Sequence, residues 1–152
     1  MSIKQIYIFL AIICFSFSSC SKEEEKTNSS LPYYRFSYFI NRNNPSHSNL
    51  HLSSCPVYIL EDKYNRKMGY REHGLFIVFN GTSYSAFDAT CPNHKGDYSK
   101  TIEYKKGSLF FICPDCGNKY NILSGECLKK GFIPLQFYNT QILTNGYLNI
   151  YN

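Results

Sequence analysis

Tryptophan is missing from this 152-residue chain, methionine occurs only twice, and no window of useful length repeats apolar residues at helical spacing. The last absence excludes a helical bundle, because an amphipathic helix needs an apolar stripe recurring about every three to four residues. Basic residues nowhere gather into a run flanked by aromatics. The 16 Lys and Arg against 11 Asp and Glu leave a formal charge of only +5, so no nucleic-acid partner is expected. No Ser/His/Asp or Glu set stands out for nucleophilic chemistry, and turnover by this chain alone is not expected. No apolar run reaches the roughly 20 residues that a membrane-spanning helix takes.

What is present is ordinary for a folded domain: 43% apolar and 18% charged residues, in a length that fits one domain. The aromatic surface is 14 Tyr and 12 Phe, in a composition rich in Asn, Ser and Ile, which favours strands.

The N-terminus reads as an address. Lys4 precedes an apolar run from Ile6 to Phe17 broken only by Ser16, followed by Ser18, Ser19 and Cys20. That is the order of a secretory signal: positive start, short apolar core, small residues, cleavage. Cys20 after two small residues resembles the lipobox of bacterial lipoproteins, in the looser form of Bacteroidetes-type bacteria, since Phe17 and Ser19 stand where many lipoboxes carry Leu and Gly or Ala. The resemblance implies residues 1–19 as signal peptide and Cys20 as the lipidated first residue; a plain signal peptide or an uncleaved anchor is the alternative. Ser21 to Lys26 is an acidic cluster like the surface-export tag of such lipoproteins, within a tether over residues 20–30. The protein is then expected outside the cytoplasm, periplasm-facing or at the cell surface, attached to the membrane by a lipid.

Of the seven cysteines, Cys14 belongs to the signal and Cys20 to the anchor, leaving Cys55, Cys91, Cys113, Cys116 and Cys127. An odd count in an exported domain implies a free thiol or metal ligation. Cys55 and Cys127 are open to two readings, a disulfide or two buried thiols.

Residues 31–152 read as short strands between turns. Strands are expected at Tyr34 to Ile40, Val57 to Leu60, Leu75 to Phe79, Tyr84 to Phe87, Leu109 to Ile112, Lys119 to Leu123 and Leu135 to Phe137. A last pair flanks Asn145-Gly146. Asn80-Gly81 predicts a tight two-residue hairpin, since both residues accept positive φ. Asn41 to Ser54 is a polar loop long enough to be mobile. The fold class is all-β, an antiparallel sandwich or barrel.

Two loops carry ligand-capable residues: Cys91-Pro92-Asn93-His94-Lys95-Gly96 and Cys113-Pro114-Asp115-Cys116-Gly117. Ligands separated by two residues converge on one centre, Pro stiffens the turn and Gly lets amides face the sulfur. Three thiolates and an imidazole suit tetrahedral Zn and also iron-sulfur chemistry. The same thiols could instead close as disulfides, Cys91 to Cys113 for instance. His47 and His51 read as solvated and His73 as a strand-edge residue.

The ordered motifs resemble Rieske-type domains. The stretch from Ile77 to Pro92 is similar to the strand, turn and strand leading into the first Rieske ligand loop. Cys113 to Asn121 resembles the family's C-P-x-H-G-x-x-F-D loop, and Ser124-Gly125, Gly131, Pro134 and Leu135 fall at its later turn signals. The resemblance implies a Rieske-like β domain with both loops at one tip, a [2Fe-2S] cluster on Cys91, His94, Cys113 and Cys116, and one-electron transfer to a redox partner. Two features depart from the family. His94 lies three positions after Cys91, where the family has C-x-H, and Cys116 replaces its second His. A structural Zn in a Cys3His site, or a metal-free surface interaction module, are the alternatives.

Overall fold

The computed structural model describes residues 30–152; Cys20, the signal segment and the tether up to residue 29 lie outside the described residues. Nine strands follow: β1 (Ser37–Asn41), β2 (Val57–Ile59), β3 (Leu75–Phe79), β4 (Tyr84–Asp88), β5 (Glu103–Tyr104), β6 (Phe110–Ile112), β7 (Lys119–Asn121), β8 (Phe137–Ile142) and β9 (Tyr147–Tyr151). They form a six-stranded sheet, ordered β1-β9-β8-β4-β3-β2, and a three-stranded sheet, β5-β6-β7. Every ladder within them is antiparallel. Among the described residues helix is confined to two 3₁₀ segments, Pro45–His51 and Tyr70–Glu72. The all-β expectation therefore holds. Among the described residues no helix is long and apolar enough to cross a membrane.

The β3 sequence Leu-Phe-Ile-Val-Phe lacks a polar side because the strand is covered on both faces. Side chains alternate across a strand, so Leu75 and Ile77 enter one apolar cluster with Tyr38, Ile40, Tyr138, Leu148 and Ile150. Phe76 and Val78 enter a second, with Phe87, Phe111, Tyr120 and Ile122. This second cluster fills the space between the β3–β4 hairpin and the small sheet, and it includes Cys91 and Cys113.

Several local expectations are corrected. The hairpin turn is displaced by one residue: Gly81 alone takes positive φ (103°), while the Asn80 side-chain oxygen accepts from the Thr82 and Ser83 amides at 3.0 and 2.8 Å. An Asx-type cap substitutes for a second left-handed residue. The segment expected as a mobile loop folds as the Pro45–His51 3₁₀ helix, capped by Asn44 and anchored by fully buried Leu50. β1 begins only at Ser37. β8 is one continuous strand from Phe137 to Ile142.

Candidate metal centre

Both ligand loops leave the ends of strands in the second cluster. The first starts three residues after β4 and closes at its base, where the Cys91 amide donates to the Lys100 carbonyl (2.8 Å) beside a Thr90–Thr101 bridge. The second starts directly after β6. There the Cys113 amide donates to the Asn118 carbonyl, and the Gly117 amide donates back to the Cys113 carbonyl, both at 2.9 Å. Gly117 has φ +69° with nothing near its would-be Cβ, so glycine serves this turn by its backbone freedom rather than its small size. On the surface, Lys100 Nζ lies 3.1 Å from Asp115 Oδ1 and joins the two loops.

The side chains of Cys91, His94, Cys113 and Cys116 come together, with all four potential ligand atoms within 4.8 Å of one another. Cys91 and Cys113 are fully buried, His94 is half-buried, and Cys116 is exposed. Cys91 Sγ lies 3.9 Å from Cys116 Sγ, and Cys113 Sγ lies 3.4 Å from His94 Nε2. Burial pushes the Cys91 thiol up to about 12 and raises that of Cys113 as well. Such thiols stay protonated unless a cation compensates them, and a coordinated metal inverts the balance by stabilising the thiolates.

Two residues that the sequence did not mark as functional complete the surroundings. The Tyr120 hydroxyl lies 3.1 Å from Cys91 Sγ and accepts a hydrogen bond from Asn93 Nδ2 (2.9 Å), leaving the phenolic proton free for the sulfur. Asn93 also donates to the Ile133 carbonyl (2.8 Å) and accepts from the Ile133 amide (3.0 Å). That pair of bonds pins the first loop to the segment before β8. Their only sequence signal is an Asn inside the Cys-x-x-His knuckle and a Tyr on the strand after the second loop.

The remaining candidates lie elsewhere. Cys55 and Cys127 are free thiols, as are Cys91, Cys113 and Cys116. Half-buried Cys127 packs on the second cluster, and half-buried Cys55 sits in the turn before β2. His51 and His47 turn back onto the carbonyls of Arg42 (3.0 Å) and Asn41 (3.5 Å). His73 follows the second 3₁₀ turn and contacts Thr90 Oγ1 at 2.9 Å.

No family model matches the chain, and no curated protein matches it. Among solved structures it is similar to the cyanobacterial plasma membrane Rieske protein PetC3 from Synechocystis PCC 6803, at 25% identity over 56% of this chain and 82% of that one, TM-score 0.42. It is also similar to the Escherichia coli protein NirD, at 12% identity over 77% of this chain and 98% of that one, TM-score 0.41. A protein assigned as an NADH-dependent nitrite reductase small subunit from Mycobacterium tuberculosis aligns at 11% identity over 79% of this chain and 97% of that one, TM-score 0.44. The chain is thus similar to Rieske-type domains, as its motifs also imply. These superpositions are loose, and it is the ligand geometry that defines the site.

That geometry bears on the cluster that the resemblance implies. A [2Fe-2S] centre splits its ligands into two pairs, one on each iron, so donors on different irons do not share an edge of one coordination tetrahedron. The Rieske division would put Cys91 with Cys113 on one iron and His94 with Cys116 on the other. The contacts at 3.9 and 3.4 Å run across that division. The donor types suit iron, but their arrangement does not fit a two-iron cluster.

Proposed function

We propose that this chain is an exported lipoprotein whose Rieske-like domain holds a metal at Cys91, His94, Cys113 and Cys116 and passes single electrons to a partner outside the cytoplasm. The observation that carries the reading is the convergence of all four donors at one tip, within 4.8 Å of one another. Three thiolates and an imidazole are suitable ligands for iron, which cycles by one electron. The motif resemblance to Rieske-type domains supports the carrier role, since domains of this size in that family serve larger redox partners. Exposed Cys116 puts one corner of the centre at the surface, where a docked partner would approach it. The lipid on Cys20 and the acidic tether supply attachment, so that diffusion is confined to the membrane plane.

The test is metal analysis with a visible spectrum and a redox titration of the mature chain, purified from membranes in detergent. The expected result is a coloured, iron-containing protein whose absorption changes with one-electron reduction. A colourless protein with stoichiometric zinc would make the centre structural, because d¹⁰ zinc is redox-silent. A metal-free chain with a disulfide at the tip would leave only a surface interaction module.

A further inference from the structure

The geometry points to a mononuclear centre: Cys91, His94, Cys113 and Cys116 close as four corners around one ion of the borderline, divalent class. The inference rests on the reading of the tip as a metal centre and specifies how many ions it takes. With metal–sulfur bonds of about 2.3 Å and metal–nitrogen bonds of about 2.0 Å, a tetrahedral site has S···S edges near ~3.8 Å and S···N edges near ~3.5 Å. The distances of 3.9 Å between Cys91 and Cys116 and 3.4 Å between Cys113 and His94 match these edges.

Three further features agree. Both contacts join one loop to the other, which is how two knuckles interlock on a shared ion. The spacing is Cys-x-x-His in one loop and Cys-x-x-Cys in the other, the form in which both ligands of a knuckle chelate the same metal. The loop bases are closed by backbone hydrogen bonds at 2.8 and 2.9 Å, so that moving the pairs apart to admit a second metal and bridging sulfides would disturb both. Binding is ligand exchange alone: thiol protons leave as the cation enters, and no electrons move.

The experiment uses the mature full chain, stripped of metal and kept anaerobic. It is titrated separately with Zn²⁺, with Co²⁺ as a coloured probe, and with Fe²⁺ in the presence and absence of sulfide. Metal per chain and acid-labile sulfide are counted. One ion per chain without bound sulfide is expected, with Co²⁺ developing thiolate absorption that saturates at one equivalent. Cys116→Ser should weaken Co²⁺ binding at least about tenfold, whereas Cys127→Ser should leave it unchanged, with circular dichroism confirming that both variants fold. Two irons and two sulfides per chain would overturn the inference while leaving the electron carrier standing. One Zn²⁺ or Co²⁺ per chain with no Fe²⁺ bound would support the inference and overturn the carrier. A chain that binds none of these metals would overturn both.

Discussion

Tyr120 sits between the candidate metal centre and the apolar core. Its ring is fully buried in the second cluster, while its hydroxyl bridges Asn93 and the Cys91 sulfur. Tyr120→Phe keeps the ring and deletes the bridge, so chemical denaturation should show a loss of about 0.5 to 1.5 kcal/mol, the net value of one buried hydrogen bond. Tyr120→Leu should cost more, because the ring contacts go as well. Cys20 makes a separate residue-level prediction. If the lipid is the membrane attachment, Cys20→Ala should move the protein from the membrane to the soluble or uncleaved fraction, and the mature wild-type chain should begin at residue 20. A Cys20→Ala variant that still sediments with membranes as a processed chain would remove the anchor from the proposal.

At the scale of the element, the turn at Gly125 shows how tightly the small sheet docks on the hairpin. Gly125 has φ +71°, and a Cβ there would stand 2.6 Å from Cε1 of buried Phe87. Gly125→Ala combines left-handed strain with overpacking of the core, and thermal unfolding should report a loss of about 2 to 4 kcal/mol. Gly81→Ala carries the strain without the clash, since its nearest neighbour is Ser53 Oγ at 4.0 Å, and should cost about 1 kcal/mol.

The elements differ in how plainly the sequence announces them. The β3–β4 hairpin is legible because β3 is an unbroken apolar run and β4 brings Tyr84, Ala86 and Phe87 back after the Asn80-Gly81 turn. β8 is legible only at its two ends, because of its residues only Tyr138 is buried and the middle of the strand is held by pairing with β9 from Asn139 to Ile142. Periodicity does not register a backbone ladder. The 3₁₀ helix at Pro45–His51 is hidden for a related reason: one buried Leu50 and one Asn44 cap fix a segment that is otherwise polar. The convergence of Cys91, His94, Cys113 and Cys116 could be read from their spacing. Asn93 and Tyr120 could not, since their partners lie 40 and 27 residues away along the chain.

Over the whole molecule, two carboxylates set opposing pH dependences. Burial alone would raise the Asp62 carboxyl, but its hydrogen bonds from the Arg66 side chain and from the Arg66 and Tyr64 amides outweigh that and hold it below the usual range. Its contribution to stability is therefore complete above the unfolded value of about 3.9 and fades as pH falls through the lower folded value. Arg66 is half-exposed, so solvent screening keeps the interaction modest. Arg66→Gln should lower stability by about 1 kcal/mol at pH 6, with a difference that shrinks toward pH 3 in denaturation curves. Asp88 behaves in the opposite sense. Burial drives its carboxyl up despite hydrogen bonds from Tyr138 Oη (2.8 Å), the Tyr70 amide (2.6 Å) and the Thr90 amide (2.8 Å). Its protonated form is favoured by folding, which opposes the acid loss from Asp62.

The β3–β4 hairpin belongs to both apolar clusters, whereas β5, β6 and β7 touch only the one that contains Cys91 and Cys113. This asymmetry predicts two cooperative units of unequal permanence within residues 30–152. Amide hydrogens of β3 and β4 should exchange with solvent only when the entire domain opens, with or without metal at the tip. Those of β6 and β7 should exchange slowly in the loaded protein and faster once the ion is removed, because the small sheet then keeps its side of the core and the loop-base hydrogen bonds but loses the cross-link through the ion.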